Sequence, residues 1–245
     1  QGATIDGRPV GSFSDIAVVS FGTGKIIDVS HGGAVITSNQ YLVKEISAYA
    51  SELKELLDSS QKIVQEFGTY HTSLYNEHYS NYSIGAHSSK FKSTAISSGE
   101  HMLCKFDERY RQTIQSRLDC IKKLIDYRRL NADKLENMLD GHESKLMEIY
   151  RPPTGSVPWR FNILIEDRNR LLRKLLGKNM KVSSWFPSVD MYFKDRSLSG
   201  VYTPESDRLG ERIMNLWVNE EICGDYLKAI KRELINHLNY LESNH

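Results

Sequence analysis

The sequence predicts an α/β chain, in which a first part with two buried strands and long helices is followed by a small α/β domain. Three observations predict it. Residues 14–21, SDIAVVSF, are an apolar run with β-branched residues between polar and glycine positions, and they are followed by a glycine-bearing turn and a second such run. Long stretches after these carry apolar residues at helical spacing. Beyond residue 155, short strand patterns alternate with helical ones. At 245 residues, 40% hydrophobic and 26% charged, the chain is long enough for more than one domain. The expected division is 1–125, with 68–105 as a variable loop or insertion, and 126–245.

Residues 14–21 read as a buried strand. The turn Gly22-Thr23-Gly24-Lys25 follows, and 32–37 read as a second buried strand ending at Ser38-Asn39. From 40 to 66, Leu42, Ile46, Leu53, Leu56, Leu57 and Ile63 recur three or four residues apart, which predicts one helix. Residues 68–100 are polar and weakly periodic, and read as a loop or insertion with short helical pieces. Between 106 and 139, Ile114, Leu118, Ile121, Ile125, Ala132, Leu135 and Leu139 form one stripe on a long helix, kinked or bridging two domains. Arg151-Pro152-Pro153-Thr154-Gly155 breaks the chain. Strands are expected at 157–165, 181–185 and 213–218, and helices at 168–176 and 225–241.

The net charge is +1. Lys122-Lys123 and Arg128-Arg129 are flanked by Asp119, Asp126 and Asp133, so they read as a solvated helix face; no nucleic-acid or membrane partner is expected. Cys104, Cys120 and Cys223 are far apart, without a CxxC pair. They predict free thiols in a reducing cytoplasm and no metal site. His71, His78 and His87 lack metal-ligand spacing. No signal peptide and no bilayer-length apolar run is visible. Gln1-Gly2-Ala3 reads as the middle of a sequence, so the chain is expected to be the downstream portion of a longer protein.

The chemistry centres on Lys25. A P-loop needs GxxxxGK[ST] opening a helix. Here Val19 stands where the first glycine belongs, Ile26 follows the lysine, and a strand comes next. Two readings remain from the residues alone. Lys25 is a solvated turn lysine, or it is an amine placed at a strand end to condense with a carbonyl, with the Ser20 hydroxyl near a phosphate.

Residues 11–39, GSFSDIAVVSFGTGKIIDVSHGGAVITSN, resemble the lysine region of the DegT/DnrJ/EryC1/StrS sugar aminotransferases, with Ser20-Phe21…Lys25 and the following Gly-Gly-Ala-Val at the family's spacing. Gln1-Gly2-Ala3 resembles the end of an upstream family segment. Arg128-Arg129-Leu130-Asn131-Ala132 resembles the family's long helix. Pro158-Trp159-Arg160-Phe161, Trp185-Phe186-Pro187 and Arg212 to Trp217 resemble its small-domain strands. The resemblance implies a partial type I aminotransferase fold, the later part of a large mixed-sheet domain plus a small α/β domain, with pyridoxal 5′-phosphate (PLP) as cofactor. Lys25 is then the Schiff-base lysine and proton carrier, Ser20 a phosphate ligand, and Gln1 a partner of the ring hydroxyl. The acidic partner of the pyridine nitrogen would stand upstream of Gln1.

Two positions depart from the family pattern. Lys105 stands where the family often has an arginine that reaches the neighbouring subunit's site, and it is either a substitute or a solvated helix-start lysine. Ser188-Val189-Asp190 follows Phe186-Pro187 where many members carry a histidine. His31, between the lysine turn and the Gly-Gly strand, is a further substrate-site candidate. The resemblance implies a cytoplasmic homodimer that moves an amino group from an amino acid, glutamate first, to a nucleotide-linked keto-sugar for surface polysaccharide or other amino-sugar biosynthesis. A catalytically incomplete fragment, a non-catalytic relative and a P-loop-like nucleotide binder are the alternatives.

Overall fold

The computed structural model describes residues 1–81, 95–99, 101–185 and 203–244. His87 and the 186–190 segment lie outside the described residues, as do the side chains of His71 and His78.

A short hairpin, β1 (Thr4–Ile5) with β2 (Arg8–Pro9), opens the chain. The strands β3 (Ala17–Ser20) and β4 (Gly33–Ile36) form an antiparallel pair with Ser20 opposite Gly33. A Cβ on Gly33 would stand 2.6 Å from the Val19 carbonyl oxygen, so the Gly-Gly start of β4 is what lets the backbones approach. Both strands were expected to be buried. Instead β3 and β4 pair only with each other among the described residues, and Val18, Val35 and Ile36 are exposed, Val18 at 78%.

Helix α1 (Gln40–Glu52) is capped by Asn39, whose side chain accepts from the amides of Tyr41 and Leu42. The single helix expected over 40–66 is two. Leu53 turns extended and Lys54 makes a parallel bridge to Cys104, which removes that stretch from any helix. Helix α2 (Asp58–Asn81) then runs well into the segment expected to be a loop. Its polar composition does not stop it: Thr69 and Thr72 return their hydroxyls to the carbonyls of Gln65 and Gly68.

The long helix is likewise interrupted. A turn of 3-10 helix (Glu108–Tyr110) leads into α3 (Arg111–Asp119) and then α4 (Ile121–Leu139). Cys120 leaves helical geometry at the join, with its thiol donating to the Ser116 carbonyl oxygen at 3.2 Å. Of the expected stripe, α4 buries Ala132, Leu135 and Leu139; Leu124 is buried as well, and Ile121 and Ile125 are half-buried.

The second half is built on a four-stranded antiparallel sheet, in the order β5 (Met147–Tyr150), β6 (Phe161–Ile165), β8 (Ile213–Leu216), β7 (Val182–Ser183). Helices α5 (Arg168–Gly177) and α7 (Gly224–Asn244) pack with α4 around it, and α6 (Pro204–Arg212) leads into β8. Leu135, Leu139, Ile163, Leu171, Leu175, Met214, Leu234 and others form one continuous core. Each such side chain contributes about 1.5–3 kcal/mol through burial. On the sheet's other face, the buried Asn215 carboxamide accepts from Ser183 Oγ at 2.9 Å and Trp185 N at 2.6 Å. It donates to Asn162 Oδ1 and the Trp185 carbonyl oxygen, both at 3.0 Å. Strand β5 and helix α6 had not been expected. A smaller core of Phe21, Ile27 and Val29 lies under the lysine turn, against Val19, Ala34, Phe106, Tyr110, Ile114 and Ile121.

Candidate active site

Lys25 stands on the loop between β3 and β4. Phe21 pins both ends of this loop, donating its amide to the Gly32 carbonyl and accepting from the Val29 amide. Ile26, Ile27 and Val29 are buried, which holds the loop down on its small core and leaves Lys25 exposed. The amide of Lys25 itself closes a turn onto the Gly22 carbonyl at 3.2 Å.

Asp28 braces the turn from inside. One carboxylate oxygen accepts from Gly24 N at 2.6 Å and the other from Ser30 N at 2.8 Å. Gln1 braces it from outside, with its carboxamide donating to the Ser20 carbonyl and accepting from Ile27 N at 2.9 Å. Gln1 thus spans the lysine turn, and it retains a second N–H and a second lone pair for another partner.

Ser20 Oγ accepts from Gly22 N at 3.2 Å. No acceptor takes its own hydrogen among the described residues, so its O–H is available to an anion in front of the turn. The amides of Gly22, Gly24 and Lys25 are all spent inside the turn, and the chain returns to a strand. That removes the P-loop alternative, in which those amides must face phosphate.

Trp159 forms the roof. Its indole N–H donates to the Gly24 carbonyl at 2.9 Å, and Lys25 Nζ lies 5.7 Å from the centre of one of its rings. Gly24 has φ +81°, and a Cβ there would stand 3.3 Å from the indole nitrogen and 3.4 Å from an Arg160 terminal nitrogen. Gly24→Ala meets left-handed strain and crowding together. The expected cost is about 1–2 kcal/mol, read as a lower urea midpoint at unchanged slope.

The other predicted residues lie elsewhere around the turn. The ring of His31 packs edge-on against Tyr110, centroids 4.4 Å apart, and its Nε2 is buried without a hydrogen-bond partner. Lys105 is tied to Glu55 at 2.8 Å, and its amide to the Lys54 carbonyl. Among the described residues, no three His, Cys, Asp or Glu side chains gather to hold a metal ion, and no helix is long and apolar enough to cross a membrane.

Three residues at the turn were not singled out beforehand for a role there. Asp28 followed two residues later by Ser30 is a side-chain turn signal. Trp159 carries no local signal for its position. Arg128 contradicts the expectation of a solvated basic face: it is 4% exposed and donates to the Trp159 carbonyl oxygen at 3.0 Å.

The geometry joins one amine with no acidic partner among the described residues, one hydroxyl with a hydrogen to give, and a flat aromatic roof. These fit the aldehyde and phosphate ends of PLP.

The family model for DegT/DnrJ/EryC1/StrS aminotransferases matches residues 1–234. Among solved structures, an aminotransferase from Psychrobacter cryohalolentis is similar at TM-score 0.68 and 17% identity, with 99% of this chain and 60% of that one covered. A sugar aminotransferase from Streptococcus pneumoniae, in its PMP form, gives 0.66 and 13%, covering 100% and 57%. DesI, in the presence of its TDP-sugar product, gives 0.62 and 17%, covering 95% and 52%. At these identities the likeness is one of fold, and the chain spans somewhat more than half the length of the structures it matches. No curated relative matches.

Proposed function

The chain belongs to the DegT/DnrJ/EryC1/StrS aminotransferase family, and from that premise we propose that its full-length protein uses PLP to transfer an amino group from an amino acid, glutamate first, to a nucleotide-linked keto-sugar. The single observation that carries the proposal is the lysine turn: an amine without an acidic partner beside a serine hydroxyl, both held by Gln1 and Asp28. The nucleotide-sugar is supported by the TDP-sugar product seen with DesI.

When bound, PLP supplies an aldehyde that condenses with amines and a ring that withdraws the electrons left at the amino acid's Cα. Lys25 Nζ would hold the aldehyde carbon at rest. With PLP bound, the same Nζ, once free, would take the proton from the donor's Cα and carry it across the turn. The second half of the cycle runs these transfers backwards on the keto-sugar. Ser20 Oγ would donate to the phosphate and so hold the cofactor at the turn. Trp159, bonded to Gly24, covers Lys25 and excludes water from one side.

The test is a spectrum. PLP added to the full-length protein should give a visible absorbance band that borohydride fixes onto Lys25, located by peptide mass. No band, together with equal PLP binding by Lys25→Ala, sinks the proposal. Ser20→Ala should weaken PLP binding about tenfold, the worth of one hydrogen bond to a charged group, measured by titrating the same band.

A homodimer is proposed as well; the exposed cross-strand pair Val18 and Val35 on one face of β3 and β4 supports a further contact there. Free Cys104, Cys120 and Cys223 accord with a cytoplasmic setting. The length relation favours a second reading, in which these 245 residues alone hold an incomplete site. It predicts the band for the full-length protein and a weaker one, or none, for residues 1–245 expressed alone.

A further inference from the structure

Two arginines stand behind the lysine turn. Arg128 and Arg160 are 4% and 8% exposed, and both donate to the Trp159 carbonyl oxygen, at 3.0 and 2.9 Å. Two guanidiniums that share one acceptor are close neighbours. Neither meets a carboxylate among the described residues, and the Nε of each is buried without an acceptor. Glu220, the acid whose charge Arg128 feels, is committed to Arg117 at 2.9 Å. Tyr226 faces Arg160, but its hydroxyl donates to the Lys181 carbonyl and burial keeps it protonated, so it brings no negative charge. Asp28, the acid of the turn, has each oxygen on a backbone amide.

Burial pushes both guanidiniums down, Arg160 to about 10, where the Arg128 charge adds to the effect. Like charges buried side by side are costly unless an anion joins them. The geometry also says from where. The plane of Arg160 is clamped between the rings of Trp159, 4.4 Å away, and Trp217, 3.8 Å away, so its faces are closed and only its edge can bind. A terminal nitrogen of that edge points at Gly24, 3.4 Å from where a Cβ would stand, and Lys25 is the next residue.

We infer that Arg128 and Arg160 form an oxyanion site beside the lysine turn, taking a carboxylate or phosphate group of a substrate edge-on. A planar fork suits either group bidentately. The assignment rests on the proposed reaction for the identity of the substrate, and on the arginine pair alone for the binding of an anion. It also places this anion away from Lys105, which Glu55 already neutralises.

The source of the oxyanion is the donor's carboxylate or the nucleotide's diphosphate, and two probes separate them. Glutarate and pyrophosphate are each titrated calorimetrically into the full-length protein, with and without PLP, for the wild type and Arg160→Met. The expected result is that one probe binds and that Arg160→Met weakens it about tenfold or more. Glutarate binding marks the donor as source; pyrophosphate binding marks the nucleotide. If neither binds the wild type, or Arg160→Met binds equally well, the site is overturned. Should Arg160→Met fail to fold by circular dichroism, Arg160→Lys keeps the charge without the fork and should still lose affinity; undiminished affinity overturns the site. The Lys25 band is read separately, so anion binding without a band defeats the aminotransferase reading, and a band without anion binding defeats this one.

Discussion

Lys25→Ala is expected to lower the proposed transamination about a thousandfold or more, because in that reading one side chain performs the proton transfer between two carbons and Lys25 is the one lysine of the turn among the described residues. Loss of the fold is not expected alongside it. The side chain is exposed, and the turn hydrogen bond it takes part in is made by its backbone amide. Its cation over the Trp159 ring is worth about 0.5–1 kcal/mol. Stability and activity should therefore separate: a nearly unchanged urea midpoint with an almost inactive enzyme. Both half-reactions should fall together, since the same nitrogen serves each. A small primary amine added to Lys25→Ala should restore part of the rate, because it can carry the proton that Nζ carried. A variant that keeps more than a tenth of the wild-type rate, with no added amine, would remove Lys25 from the chemistry.

The second large effect is on stability. Asn215→Leu keeps the branched outline of a buried side chain while deleting four hydrogen bonds, those to Asn162, Ser183 and both backbone groups of Trp185. The partners stay behind in a place without water. The expected cost is about 3 kcal/mol, since stranded buried polar groups lose more than the net value of the bonds. That corresponds to a fall of roughly 10 °C in Tm for a unit of this size, measured by calorimetry. Because Asn215 ties β7 and Trp185 to β8, amide exchange at Ser183 and Trp185 should quicken first. An unchanged Tm would mean that the carboxamide network contributes nothing net.

The parts of the fold that are legible in the sequence share one property: their neighbours in space are their neighbours in the chain. The lysine turn shows itself because β-branched runs and glycines sit within a few residues of Lys25. Helix α7 shows itself because Leu227, Ile230, Leu234, Leu238 and Leu241 repeat on one face. Helix α6 does not, because it is specified by Pro204 at its start, Glu205 and Asp207 in its first turn and Arg212 in its last, with little apolar stripe to read. Strand β5 has only four residues of alternation, and its identity comes from pairing with β6. The break at Cys120 lies in its backbone angles, beside a thiol that reaches the Ser116 and Arg117 carbonyls, and periodicity cannot register it. At the site, it is the resemblance that singles out Lys25 and Ser20, since spacing alone leaves a solvated turn lysine open. The burial of Arg128 was not: its flanking aspartates suggested solvent, while Trp159 and Arg160, some 30 residues on, cover it.

The bond between the Trp159 indole and the Gly24 carbonyl joins residues 135 positions apart. In a growing polypeptide the two ends of that bond are made on the order of ten seconds apart, at ordinary rates of synthesis. Throughout that interval the Lys25 amine is on a loop without its roof, held by Gln1, Asp28 and the small core that Phe106 to Ile121 complete. The loop therefore reaches its finished surroundings only after residue 159 has been made, and a chain that stops short of it carries Lys25 without the indole above it.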